Sequence, residues 1–433
     1  MGGVQGDGKA EALGSGLRGP IVESFSASGW SSILSPQRDV PMVALRILVP
    51  GGSFEDPPGK EGLAYVTAQL LVEGTRNKRA EMLHEELDRM GGHFFVDVNG
   101  DYTMLGVSVL AKDQGRALEL LVEMLREPAF PKREFNRRKQ RVLGEIASQE
   151  DRPGGLAYRA FLKALWGERG YGHDPRGFKG SVRGLGLEDV MEHHLERILS
   201  RHVLVVAVGD LEPDQFQGRL SELMAGWHGR EGPQHWDLPG ELAGGTRVVI
   251  HRELPQATVL LGQKSVPRDH PDMHALLVMN YILGGGGFAS RLMEQIRSRR
   301  GLAYAVFSSL DGRKRGGMFQ VAFQTENPNV LEALDIVLEE AKRMRLERVG
   351  SKELDEAKGY LIGSFPMRLD SSSSIATSLA LWDFYGLGMD YPRVFASSVQ
   401  TVDQETVLRV AQEHLRPETW LQVMVGDSKA MGA

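Results

Sequence analysis

The chain has no cysteine among its 433 residues. That absence removes disulfides, thiol nucleophiles and cysteine-held metal together. It has no apolar run near the roughly 20 residues that cross a bilayer as a helix, so membrane insertion is not expected. It also lacks an excess of positive charge, with 51 Lys and Arg against 57 Asp and Glu for a formal net charge of −6. A chain so balanced has no electrostatic footing on phosphate backbones, and nucleic acid is not an expected partner. Met1 to Ala10 contain no apolar core of signal-peptide type, and the Gly-rich segment 1–19, without periodicity, is expected to be mobile.

What is present is an ordinary globular balance, 41 % hydrophobic and 25 % charged, at a length that suits more than one domain. An internal repeat organises it. A helical stretch, Glu81 to Met90, leads through Gly91-Gly92 to a strand, His93 to Val98. The turn Asn99-Gly100-Asp101 then opens a second strand, Tyr102 to Leu110, and Asn-Gly between alternating apolar runs is a strong hairpin signal. An amphipathic helix, Gly115 to Glu127, follows. The second half repeats this order: a helix over 291–299, strands Ala303 to Leu310 and Met318 to Thr325 around a Gly-rich turn, then a helix opened by Asn327-Pro328. Each half also ends in an apolar strand before a Gly-Asp pair, at Gly209-Asp210 and Gly426-Asp427. The stretch 226–246, rich in Gly, Pro and polar residues, reads as a linker between domains 20–225 and 247–433. The predicted fold class is α+β, with two homologous domains that each carry an antiparallel-rich sheet covered by helices.

The segment Gly62-Leu63-Ala64-Tyr65-Val66-Thr67-Ala68-Gln69, closed by Gly74-Thr75, resembles the signature helix of the pitrilysin/insulinase (M16) zinc peptidases. There the family carries H-x-x-E-H: two His on one helix face for zinc and a Glu as general base. Here the three positions are Tyr65, Ala68 and Gln69. A phenol, a methyl and an amide supply neither the ligands nor the base. Glu145, 76 positions after Gln69, stands where the family places its third ligand, and Arg138 stands where it often has another acidic residue. One carboxylate without imidazoles is a poor zinc site, so no metal is expected in this chain. Glu145 is read as a helix carboxylate paired with a nearby Arg, and Arg138 is a candidate for that pairing.

A second segment, Ser290-Arg291-Leu292 through Arg297 to Gly301-Leu302-Ala303-Tyr304, resembles the C-terminal motif of the same family. That motif has an Arg and a Tyr seven residues apart, as Arg297 and Tyr304 are. A guanidinium and a phenol are donors suited to a substrate carbonyl and its developing oxyanion. In two-chain members one subunit brings H-x-x-E-H and zinc while the other brings the Arg/Tyr pair. The resemblance therefore implies a zinc-free subunit working with an H-x-x-E-H partner on a peptide substrate, with no activity of its own and a homodimer when isolated. It also implies a clam-like joining of the halves, in the fold of the M16 and LuxS metallohydrolases. A second reading, an inert peptide-binding or structural subunit of a larger assembly, stays open. The segments from Pro20 and Pro41 resemble mature periplasmic members, so a periplasmic location is expected.

Other candidates are weaker. Gly284-Gly285-Gly286-Gly287 lacks the Lys-Ser/Thr of a phosphate loop. By resemblance it is a flexible loop gating substrate, and a helix stop explains it equally. His270 and His274 have H-x-x-x-H spacing without an evident third ligand and are read as surface histidines. His193-His194 point to different helix faces, and His84-Glu85-Glu86 is an exposed helix face. The basic cluster Arg313-Lys314-Arg315 is read as a solvated turn.

Overall fold

The computed structural model describes residues 20–230 and 245–432. The expected mobile segment 1–19 and most of the expected linker, 231–244, lie outside the described residues. The first half contributes strands β1 (Glu23–Ala27), β2 (Trp30–Pro36), β3 (Met42–Pro50), β4 (His93–Val98), β5 (Tyr102–Leu110) and β6 (Val203–Gly209). The second contributes β7 (Arg247–His251), β8 (Gln256–Ser265), β9 (Ala303–Gly312), β10 (Gly317–Glu326) and β11 (Leu421–Gly426). The helices of the first half are α1 (Leu63–Leu71), α2 (Ala80–Arg89), α3 (Gln114–Arg126), α4 (Lys132–Asp151), α5 (Pro153–Trp166), α6 (Lys179–Gly184), α7 (Leu187–His193) and α8 (Pro213–Leu223). Those of the second are α9 (Met273–Asn280), α10 (Val330–Leu346), α11 (Ser351–Ser364), α12 (Ser372–Tyr385), α13 (Tyr391–Thr401), α14 (Gln404–His414) and α15 (Ser428–Met431).

The two sheets repeat one topology. The first runs β1-β2-β6-β3-β5-β4 and the second β7-β11-β8-β10-β9. Among the described residues, every strand apart from β1 has a counterpart in the same place. The single parallel pairing recurs too, β2 with β6 and β7 with β11, while the other neighbours are antiparallel. β6, Val203–Gly209, is buried throughout, as a β-branched run inside a covered sheet should be. The turn at Asn99 forms because its Oδ1 accepts from the main-chain N of Asp101 (2.7 Å) and Tyr102 (3.0 Å).

The halves exchange helices. On β3 of the first sheet, Leu45 and Ile47 point to that half's own helices, whereas Ala44 and Leu48 pack with Ala376 and Leu379 of α12. On the second sheet Val259 and Leu261 face their own helices, whereas Leu260, Leu421 and Val423 pack with Phe161, Leu165 and Trp166 of α5. Pro at the first position of α5 and the Ser371 hydroxyl accepting from Ser374 N (3.2 Å) define where the two exchanged helices begin. The turn expected to be solvated is part of this junction. Arg313 lies over the Tyr171 ring (4.8 Å) and Arg315 over Phe54 (4.5 Å), and each has a side chain only 17 % exposed. Carboxylates of the first half, Glu55 and Asp101, draw Arg315 inward.

Candidate functional site

Helix α1 begins at Gly62, whose φ of 100° turns the chain into the helix. The Asp56 carboxylate accepts from Gly62 N (2.7 Å) and Ala64 N (2.8 Å), satisfying two open donors of the first turn. Tyr65 and Gln69 follow on one half-buried face, and Ala68 is fully buried against Ala64 and Val98. The Tyr65 hydroxyl donates to Glu145 Oε2 at 3.2 Å, so the structure does bring the first and last of the four expected positions together. Burial and the Glu145 charge push the Tyr65 phenol upward, which keeps it a neutral donor.

Glu145 is occupied on both oxygens. Arg141, one turn before it, lies 3.3 Å from Oε1, and Arg176 lies 3.5 Å from Oε2. Arg176 also stands 5.7 Å over the Tyr65 ring. Two guanidinium groups, a phenol and a methyl do not form a donor set for a divalent metal, and the residues present do not fit zinc. The expected Arg138–Glu145 pair does not form. Arg138 instead joins Arg137 on Glu73, a carboxylate with only 4 % of its side chain exposed. Buried Glu73 needs charge more than half-exposed Glu145 does, and it takes both neighbouring arginines. Arg176 comes from a loop 105 residues beyond the end of the signature helix at Leu71, and nothing in its local sequence marks the contact.

The second constellation lies at the edge of the other sheet. After α9 the chain makes π-turns at Tyr281–Gly285 and Met293–Ser298, and Gly301, with φ of 65°, redirects it into edge strand β9. The π-turns move side chains off regular helix spacing, a departure often associated with functional positions. Arg297 ends up between two aromatic rings, 4.6 Å from the Phe288 centroid and 4.5 Å from that of Tyr304. Tyr304 is 82 % exposed and Phe288 71 %. Among the described residues no carboxylate pairs with Arg297 and no group hydrogen-bonds the Tyr304 hydroxyl. The two donors are held together by stacking, with their polar ends open to an incoming acceptor. Phe288 was not singled out by its sequence context, although a large aromatic directly after a glycine run is the available signal.

The glycine run is folded into the π-turn and a short 3-10 turn, Gly287–Ala289. A Cβ on Gly284 would meet Ser308 Oγ at 2.6 Å, and one on Gly285 would meet Asn280 Nδ2 at 2.5 Å. Close packing therefore accounts for glycine at these two positions apart from any gating. The histidines also separate from their sequence reading. His274 is not a surface residue paired with His270: its ring packs on Tyr391 and Phe395, 5.8 and 5.6 Å away. His270 instead meets Asp272 and His414, with ligand atoms within 4.8 Å of one another. Arg409 grips both oxygens of Asp272 (2.6 and 3.2 Å), so an ion-pair network accounts for that cluster. His194 is buried and bonds the Leu125 carbonyl at 2.7 Å.

Comparison with known proteins assigns both halves of the chain to one family. Residues 32–174 match the family described as Insulinase (Peptidase family M16), and residues 184–361 match the Peptidase M16 inactive domain. A Bacillus subtilis relative called uncharacterized zinc protease YmxG is 24 % identical over 80 % of this chain and 84 % of its own length. A Helicobacter pylori relative called non-peptidase homolog YmxG is 25 % identical over 87 % of each chain. The crystal structure of a peptidase M16 inactive domain from Pseudomonas fluorescens superimposes with a TM-score of 0.86 at 28 % identity, covering 94 % of this chain and 98 % of that one. A Helicobacter pylori protease shares the fold, with a TM-score of 0.83 at 21 % identity over 94 % of this chain and 99 % of its own. With both domain types matched in order, the chain belongs to the M16 peptidase family.

Proposed function

We propose that this chain is the zinc-free subunit of a two-chain M16 peptidase. In this reading Arg297 and Tyr304 complete the active site of a partner that bears H-x-x-E-H. The observation that carries it is the stacked, open-ended pair itself, because an inert wall has no need of a guanidinium and a phenol held ready for an acceptor. Their donors would bind the carbonyl oxygen of the scissile peptide and stabilise the charge that develops on it. The extended substrate would add to a free sheet edge, and β4 and β9 each form one of the two edges of their sheets. Glu145, tied down by Arg141 and Arg176, takes no part.

The test is peptide cleavage by this chain alone, by an H-x-x-E-H partner alone, and by the mixture. Activity confined to the mixture and lost with a chelator is expected; no gain on mixing sinks the proposal. A second reading, a peptide-binding subunit without catalytic contribution, draws on the Helicobacter pylori relative's name as a non-peptidase homolog. It predicts that Arg297→Ala leaves the mixture's kinetics unchanged. We propose a periplasmic location, on the resemblance of the Pro20 and Pro41 segments to mature periplasmic members; recovery in the cytoplasmic fraction would overturn it.

A further inference from the structure

The sheet faces that receive the exchanged helices can be compared position by position. In the first half Arg46 of β3 pairs in register with Gly106 of β5, which pairs with Phe95 of β4. In the second half Leu260 of β8 pairs with Ala322 of β10, which pairs with Phe307 of β9. The overlying helices correspond as well. Ser373 and Thr377 are the second and sixth residues of α12, as Gly154 and Tyr158 are of α5.

In the first half this corner is plugged. The Arg46 side chain, 4 % exposed as a residue, reaches Ser373 and Thr377 (Nε to Oγ1, 3.2 Å) and lies 5.1 Å from the Phe95 ring. Gly106 makes room for it, since a Cβ there would stand 2.6 Å from Arg46 Cδ. Among the described residues of the second half nothing plays that part, and the same corner is a cavity of about 590 Å³, lined by residues that include Leu260, Ala322, Phe307, Tyr158 and Gly154. The fold therefore does not impose this cavity; its own duplicate closes it. The volume falls within the roughly 300–1,000 Å³ of ligand pockets.

We propose that this cavity binds an uncharged side chain, aromatic or branched aliphatic, of an extended peptide running along the free edge of β9. The proposal rests on the reading of the chain as a peptide-binding subunit. Along β9, Ala305 and Phe307 line the cavity while Val306 between them is buried in the core of the opposite face. A strand added to that edge would continue the alternation and send every second side chain to the cavity face. The walls favour an apolar occupant, and the polar groups beside them, among them Thr258 and Gln320, are uncharged. Glu326 is the one ionisable carboxylate in the lining, and it is exposed. A charged side chain would give up hydration there without a buried counter-charge.

The test uses this chain alone. Labelled, end-capped peptides of one backbone, with Phe, Leu, Gly, Glu or Lys at a central position, are titrated by fluorescence anisotropy. The Phe and Leu peptides are expected to bind at least about tenfold tighter than the others. Gly154→Phe is expected to erase that preference, and its Cβ would meet nothing within 4 Å. Leu260→Arg combined with Ala322→Gly, which rebuilds the other half's plug together with the room made for it, should do the same, and if that variant does not fold, Gly154→Phe decides. Equal affinities across the series, or a preference that survives a folded variant, overturn the proposal. A preserved preference with no gain on mixing would overturn the subunit role and leave the cavity standing; activity in the mixture with no preference would do the reverse.

Discussion

Tyr385, the last residue of α12, donates its hydroxyl to Asp101 in the turn between β4 and β5, at 3.2 Å. Tyr171 and the main-chain N of Lys314 (2.9 Å) donate to the same carboxylate, and Arg315 lies 3.5 Å from it. The hairpin turns of the two halves thus meet on one buried anion, whose side chain is 2 % exposed.

Replacing Asp101 with Asn keeps the shape and removes the charge on which these donors converge. A loss of about 2–4 kcal/mol in unfolding free energy is expected, since one partner of a buried charged network is being deleted. Urea unfolding measures it, and a loss below about 0.5 kcal/mol would show that the junction does not depend on this anion.

Ala68, expected from the sequence at the general-base position, is fully buried against Ala64 and Val98. Ala68→Glu should therefore cost about 2–4 kcal/mol through overpacking and a buried unpaired charge. A neutral effect in thermal or urea unfolding would mean that the old catalytic pocket is still open.

Arg297→Ala and Tyr304→Phe remove a half-buried guanidinium and an exposed phenol, neither with a hydrogen-bond partner among the described residues. Each should leave the stability of this chain within about 0.5 kcal/mol. In the mixture with a catalytic partner, each should lower kcat/KM by about 10²-fold, the scale of one lost oxyanion donor. Equal losses of stability and activity would assign the pair a structural role instead.

The Arg409 guanidinium, followed by His414, holds Asp272 down to about 2. Because the folded-state value lies below the unfolded one, the stabilisation is present above about pH 4 and is lost as pH falls towards 2. Asp272→Asn should cost about 1–2 kcal/mol at pH 7, with mutant and wild type converging between pH 4 and 2. A pH-independent difference in urea midpoints would contradict this assignment.

Much of the fold could be read from the chain. The strands at His93–Val98 and Tyr102–Leu110 fall where the Asn-Gly turn and apolar alternation put them, and β9 and β10 lie within two residues of their expected ends. Those signals are local. Nothing in the sequence of α5 or α12 says which sheet the helix covers, so the exchange was not visible. The substituted positions Tyr65, Ala68 and Gln69 were equally plain, whereas Arg176 reaches Glu145 only through tertiary folding. Arg138 illustrates the same limit: proximity in sequence suggested Glu145, and burial of Glu73 decided the pairing.

The exchanged helices also set the order in which this chain can become stable. When β6 is complete, one face of the first sheet still has no cover, because α12 does not begin until Ser372. During synthesis Ala44, Leu48 and Val206 must wait, bare or provisionally shielded, for a segment made much later. α5 meanwhile is finished long before β8 and β11 exist to receive it. Neither half is therefore expected to fold by itself, and a fragment ending at residue 225 should give no cooperative unfolding transition by circular dichroism. The shared cores predict one cooperative body, complete only when the last strand arrives.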